Sequence, residues 1–170
     1  MELDCGICRV RSWRKADRAS LVKNANNRRI WETVRDRFPH PYTDEAARRW
    51  LGTVVGAEPE LHFAIDIGDQ AVGGIGLAPG VDVERFSAEI GYWLGEPYWG
   101  RGLMTRAVRA ASDWALDEYQ LTRVFAMTFS HNVGSIRVLE KAGFAREGIM
   151  RRSAIKNGVI LDQLLYAKVR

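Results

Sequence analysis

Gly100 and Gly102 stand two residues apart in Pro97-Tyr98-Trp99-Gly100-Arg101-Gly102-Leu103-Met104-Thr105, a spacing suited to a backbone that holds an anion. A glycine has no Cβ, so its backbone reaches conformations barred to other residues and a ligand can approach it closely. An amphipathic pattern beginning at Leu103 places the first turn of a helix directly behind the pair. The unpaired N–H groups and the positive dipole end of that helix would face one point, where a pyrophosphate is the natural occupant. The expected donors are the main-chain amides from Arg101 through Gly102, Leu103 and Met104 to Thr105, with the Thr105 hydroxyl beside them. The Arg101 side chain has two readings, a phosphate partner or a solvated cation. An ordinary helix-entry turn is the competing explanation, but paired glycines between a strand and a helix favour phosphate. An ATP loop is disfavoured because the Gly-Lys-Ser/Thr signature is missing.

The elements that must carry this turn can be read outward from it. Ala88 to Leu94 is an apolar strand feeding the turn. Behind it, Leu103, Ala107, Ala110, Ala111 and Trp114 fall on one face of a helix ending near Tyr119. Arg123 to Phe129 reads as the next strand, and Asn132 as the cap of a short helix through Ala142 that stops at Gly143. Upstream, Ile7 to Arg11 alternates as a first strand, and Ser12 to Val34 is helical with a break at Asn24-Ala25-Asn26-Asn27. Thr43 caps a helix through Trp50, with Asp44 and Glu45 in its favourable first turn. His62 to Ile67 and Ala71 to Leu77 form a hairpin across Gly68-Asp69-Gln70; Glu147 to Ser153 and Ile160 to Val169 form another around Asn157-Gly158. The order predicts a mixed α/β fold: one central mixed sheet of about seven strands flanked by about four helices, residues 1–170 forming a single domain.

Composition narrows the function classes. The 170 residues are 46% hydrophobic and 27% charged, ordinary for a globular chain. No apolar run approaches the ~20 residues that span a bilayer, so no membrane partner is implied and the expected compartment is cytoplasmic. The net charge of +4 is spread along the chain without a basic block, which argues against a nucleic-acid partner. Cys5 and Cys8 lack the further ligands that zinc requires and lead into a strand rather than a helix start, so neither a metal nor a redox role is expected.

Two motifs in register carry a family resemblance. Pro97-x-x-Gly100-x-Gly102, entered from Glu89-Ile90-Gly91-Tyr92-Trp93-Leu94, resembles the acetyl-CoA pyrophosphate loop of the GNAT N-acetyltransferases. Asn132-x-x-Ser135-x-x-x-Leu139-Glu140-Lys141-x-Gly143-Phe144 is similar to their second motif. Phe38-Pro39-His40-Pro41-Tyr42-Thr43 and the ending Asn157-Gly158 with Asp162 resemble the branch of ribosomal-protein alanine acetyltransferases (RimJ/RimL-like). The likeness covers almost the whole chain. It departs at Pro97, where many members have Gln or Arg, and at Leu139, where many have the Tyr that protonates the departing thiolate.

The resemblance implies acetyl-CoA as co-substrate, no metal, and direct transfer of acetyl to a primary amine. The acceptor would be a protein N-terminus or a small amine such as a polyamine or antibiotic; the sequence itself leaves monomer and homodimer both open. It further implies that Trp93 and Leu94 pair through their backbone with pantetheine, that the Asn132 side chain hydrogen-bonds the same arm, and that Ser135 faces the thioester sulfur. On residue chemistry alone, Asn132 is an N-cap and Ser135 a first-turn serine. Glu89 is the candidate base for an α-amino group, whose pKa is about 8, or else an outward-facing surface glutamate. His40 and Tyr42 lie in a proline-stiffened loop that could roof the acceptor site. A CoA-binding module without turnover is the rival from another class, and Leu139 is the residue that favours it.

Overall fold

A helical crossover separates the only two neighbouring strands that run in the same direction. β5 (Ser87–Leu94) and β6 (Arg123–Phe129) are parallel, and the chain between them passes through α4 (Leu103–Glu118). Parallel neighbours need such a long return, whereas antiparallel ones can be joined by a tight turn. The computed structural model describes all residues 1–170. The other strands are β1 (Glu2–Asp4), β2 (Arg9–Ser12), β3 (His62–Ile67), β4 (Gln70–Pro79), β7 (Ala145–Lys156) and β8 (Val159–Val169). One sheet holds all eight, in the order β1-β2-β3-β4-β5-β6-β8-β7. The remaining helices are α1 (Arg18–Ala25), α2 (Arg28–Trp31), α3 (Asp44–Val54) and α5 (Val133–Lys141).

Strand alternation sends side chains to two cores. Val10, Phe63, Ile65, Val72, Ile90 and Leu94 pack with Leu103, Ala107 and Ala111 of α4 and Leu139 of α5 on one face. On the other, Ala64 and Ala71 meet Leu21 of α1 and Ala47 and Leu51 of α3. The local signals that set the helix starts hold: Thr43 Oγ1 accepts from Ala46 N–H at 3.2 Å, and Asn27 Oδ1 from Arg29 N–H at 2.8 Å. The β3–β4 and β7–β8 hairpins turn at Gly68-Asp69 (φ 57° and 63°) and Asn157-Gly158 (φ 50° and 77°), the signature of a type I′ turn.

Four expectations need correction. The sheet has eight strands rather than seven, because Glu2–Asp4 forms a short edge strand that three residues cannot announce by alternation. The strand expected over Ile7–Arg11 is Arg9–Ser12, since Ile7 sits exposed in the turn where Cys5 N–H donates to Cys8 C=O at 2.9 Å. Helix after Ser12 begins only with a 3₁₀ turn at Lys15–Asp17, and the break at the asparagines makes two helices, giving five in all. The last hairpin is far longer than expected, because two register shifts let β7 run from Ala145 to Lys156. Asp162 stabilises the second irregularity: its carboxylate accepts from the N–H of Arg152, whose φ is 52°.

A buried ion cluster ties the sheet to the first helical turn. Arg11, 1% exposed, donates to Asp17 through both terminal nitrogens at 2.9 and 2.8 Å and to Asp66 from Nε at 2.8 Å. Arg9 reaches the other Asp66 oxygen at 2.8 Å. Burial opposes the charge on Asp66, but these guanidinium hydrogen bonds prevail and hold its carboxyl below the usual carboxylate range.

Candidate active site

β5 and β6 are paired only from Ser87 to Glu89 and from Arg123 to Phe125. Beyond that, Ala126 to Phe129 pair with β8 alone, while β5 continues with β4 to Leu94, so a wedge opens between the two parallel strands. The 3₁₀ turn Glu96–Tyr98 and α4 follow β5 along the chain, and α5 follows β6.

The glycine turn takes the expected form. Gly100 and Gly102 both have φ of 76°, and Gly102 occupies the cap position of α4 in the left-handed region. A Cβ added at either would meet only open space, so the positive φ, not crowding, is what calls for glycine. No side chain caps α4, and no acceptor in the protein takes the N–H groups of Leu103, Met104 or Thr105. A helix start left unsatisfied in this way is a standing anion site. The Leu103 and Met104 side chains point into the core, Thr105 is half-buried, and Arg101 is exposed with its guanidinium 5.8 Å from the Tyr98 ring. The turn is braced from behind: Asn27 Nδ2 donates to Glu96 at 2.7 Å, and the Trp99 indole N–H donates to Leu94 C=O at 2.7 Å. Cys5 and Cys8 are free, buried thiols, and Cys8 Sγ lies 3.9 Å from the Leu103 carbonyl. The pair therefore packs beneath the start of α4.

β5 meets β4 in unbroken register from Ala88 to Leu94, so strand parity decides which face each side chain takes. Ala88, Ile90 and Leu94 enter the core under α4 and α5, with Tyr92 packed against it. Glu89 and Trp93 therefore face the other way, and Trp93 packs with the second core. Glu89, its side chain 21% exposed, accepts a hydrogen bond and ion pair from Arg35 in the segment after α2. The same Arg35 lines a groove of about 380 Å³ walled by Val34, Met127, Phe129, Met150 and Ile155. Lys156 also lines it, 2.7 Å from Asp36 and 3.9 Å from the centre of the Trp31 ring.

α5 presents the second motif. Asn132 Oδ1 accepts from Ser135 N–H at 3.1 Å, a cap that leaves the Asn132 amide nitrogen without a partner in the protein. Ser135 Oγ lies 2.8 Å from the Tyr92 hydroxyl. Burial raises the Tyr92 phenol above its ordinary value, and the bond to Ser135 offsets this only in part. Leu139 is fully buried and belongs to the core.

The expected residues thus lie on β5 (Glu89, Trp93 and Leu94), on the Gly100–Thr105 turn that follows it, and at the start of α5 after β6 (Asn132 and Ser135), with Glu89 and Trp93 on the sheet face opposite Tyr92 and its partner Ser135. Tyr42 is different: it is 4% exposed, 5.0 Å from the Phe38 ring, and its phenol is pushed up to about 12 by burial, so it is a core residue. His40 stays exposed, and His131 stacks on Phe129. Sequence reasoning missed Arg35, which no local pattern marks. It also left Tyr92 without a role, although strand parity places Tyr92 opposite Glu89. No three His, Cys, Asp or Glu side chains come together as a metal site, and no helix is long and apolar enough to cross a membrane.

The Acetyltransferase (GNAT) domain family matches residues 8–145. A probable N-acetyltransferase of Bacillus subtilis, YjcK, is 40% identical over 112 residues, which are 65% of this chain and 62% of that protein. The uS5-alanine N-acetyltransferase of Escherichia coli is 29% identical over 163 residues, covering 92% of this chain and 81% of that one. Among solved structures, Mycobacterium smegmatis RimJ in complex with a CoA-disulfide superposes with a TM-score of 0.82 at 25% identity, over 97% of this chain and 83% of that one. With the uncapped glycine turn beside a split parallel pair, these matches show that the chain belongs to the GNAT acetyltransferase family.

Proposed function

We propose that this protein transfers acetyl from acetyl-CoA to a primary amine, an N-terminal α-amino group of a protein or peptide. The unsatisfied amides of Leu103, Met104 and Thr105 are the observation that carries this reading. Together with Gly100, Arg101 and Gly102 they form a donor set that fits a diphosphate and needs no side chain. The backbone of Trp93 and Leu94 and the free amide nitrogen of Asn132 would hold the pantetheine arm. The bound co-substrate supplies an activated acetyl group as a thioester.

The chain's own residues then have separate tasks. Glu89 takes the proton that the attacking amine must lose, on the sheet face where the groove opens. Arg35 occupies Glu89 in the absence of an amine, so the arriving ammonium competes with it for the carboxylate. Ser135 sits on the opposite face and offers its hydroxyl to the departing sulfur. Positioning and aimed donors provide most of the acceleration. The acceptor assignment is supported by the relative named for uS5-alanine acetylation and by the groove of about 380 Å³ lined by Arg35, the partner of Glu89.

The test is release of free CoA from acetyl-CoA with N-terminal peptides, polyamines and aminoglycosides in parallel. Turnover with peptides supports the reading; turnover confined to small amines removes the peptide acceptor. Tight binding of acetyl-CoA with no CoA released by any amine would replace the enzyme with a binding module.

A further inference from the structure

The general acid that many family members carry on α5 is absent here, because position 139 is a leucine sealed in the core. The proton donor nearest the second motif comes from the opposite strand. Tyr92 lies on β5 three residues beyond Glu89, where pairing with β6 stops, and its ring crosses the mouth of the wedge to α5. Its hydroxyl is 2.8 Å from Ser135 Oγ and 3.4 Å from the Ser135 carbonyl oxygen.

That geometry restricts where protons can go. A phenol has one proton and needs an acceptor when it is half-buried among apolar side chains. Ser135 Oγ, at 2.8 Å, is the better of the two acceptors within reach. A first-turn serine often returns its own proton to a carbonyl one turn back, but Ser135 makes no such bond. When Tyr92 donates to Ser135, the serine proton has no acceptor inside the protein and is left for the wedge.

We propose that Tyr92 is a positioning residue that orients the Ser135 hydroxyl toward the leaving sulfur, in place of a general acid on α5. The inference rests on the acetyl-transfer reading above. In that reaction the ammonium first loses one proton through Glu89 to solvent; the neutral amine nitrogen then forms its bond to the acyl carbon and gives its second proton to Glu89. The carbon–sulfur bond breaks, the electron pair stays on sulfur as a thiolate, and Ser135 O–H donates a hydrogen bond to it. Tyr92 keeps its proton throughout. Solvent protonates the thiolate after release.

The experiment is a double-mutant cycle on steady-state turnover. Tyr92→Phe keeps the ring that packs against the core and removes only the hydroxyl. We expect kcat to fall about tenfold, the weight of one hydrogen bond, with acetyl-CoA KM and calorimetric affinity unchanged. In the Ser135→Ala background the same substitution is expected to cost nothing further, since its target is gone. A merely structural tyrosine would lower kcat by the same factor in both backgrounds, or raise KM and weaken acetyl-CoA binding. Either of those results, or full activity of Tyr92→Phe, overturns the inference while leaving the acetyl-transfer reading in place. An unmutated protein that releases no CoA with any amine overturns both.

Discussion

Glu89 and Tyr92 are three residues apart on one strand and point to opposite faces of the sheet, one held by Arg35 and the other hydrogen-bonded to Ser135. The odd separation is what produces this, because successive side chains on a strand alternate in direction. An acyl group lodged in the wedge between β5 and β6 would have a proton acceptor on one side and a donor for its leaving atom on the other. Attack and departure would then occur from opposite faces without either group moving.

Glu89→Gln keeps the shape and removes the base. The expected result is a fall in kcat of about a hundredfold at neutral pH, with acetyl-CoA affinity unchanged by calorimetry. Undiminished turnover would return Glu89 to the role of a surface glutamate in an ion pair.

Arg35→Ala should act in the opposite direction on the acceptor. Removing the cation that competes for the Glu89 carboxylate is expected to lower amine KM severalfold, with little change in acetyl-CoA KM. A higher amine KM would show instead that Arg35 binds the acceptor directly.

Gly102→Val places a β-branched residue at a φ of 76°, a conformation such residues adopt at a cost of about 1–3 kcal/mol. Because nothing in the protein crowds this position, we expect the chain to fold with a lowered melting temperature. Acetyl-CoA affinity, read by calorimetry, should drop at least tenfold as the amides of the first turn move out of line.

Leu139→Tyr would place the family's usual phenol where this protein has none, yet it should not raise activity. The position is fully buried, so the larger ring overpacks the core under α5 at about 1–3 kcal/mol. Urea unfolding should show a lower midpoint, and kcat should not exceed that of the parent.

Arg11→Met leaves Asp17 and Asp66 buried without their shared partner. Breaking a buried pair from one side costs about 3–5 kcal/mol, measured as a shift in the urea midpoint at pH 7. The pH dependence has a definite sign. Asp66 is held below its unfolded value of about 4, so its contribution is present above that pH and is lost as pH falls through the folded value. The difference between parent and variant should therefore shrink as the pH is lowered below about 4.

Much of this molecule is legible residue by residue. The glycine turn, the Thr43, Asn27 and Asn132 caps, and the Asn157-Gly158 hairpin all depend on neighbours within a few positions, and each appears where the residue types require it. Which face of β5 is buried was not legible in this way, because a bulge would have inverted the parity; only the unbroken register with β4 puts Ala88, Ile90 and Leu94 in the core. Short or irregular elements escaped: β1 is three residues long, and β7 is interrupted by two register shifts that erase its alternation.

The chain's own order of residues determined the family-like anion turn and the helix starts, because those follow from local stereochemistry. Tertiary structure alone decided that Arg35 reaches Glu89, that Tyr92 reaches Ser135, and that Tyr42 is sealed in the core. Those partners are separated by 43 to 54 positions in the two hydrogen-bonded pairs, and only the packing of helices on both faces of the sheet brings them together.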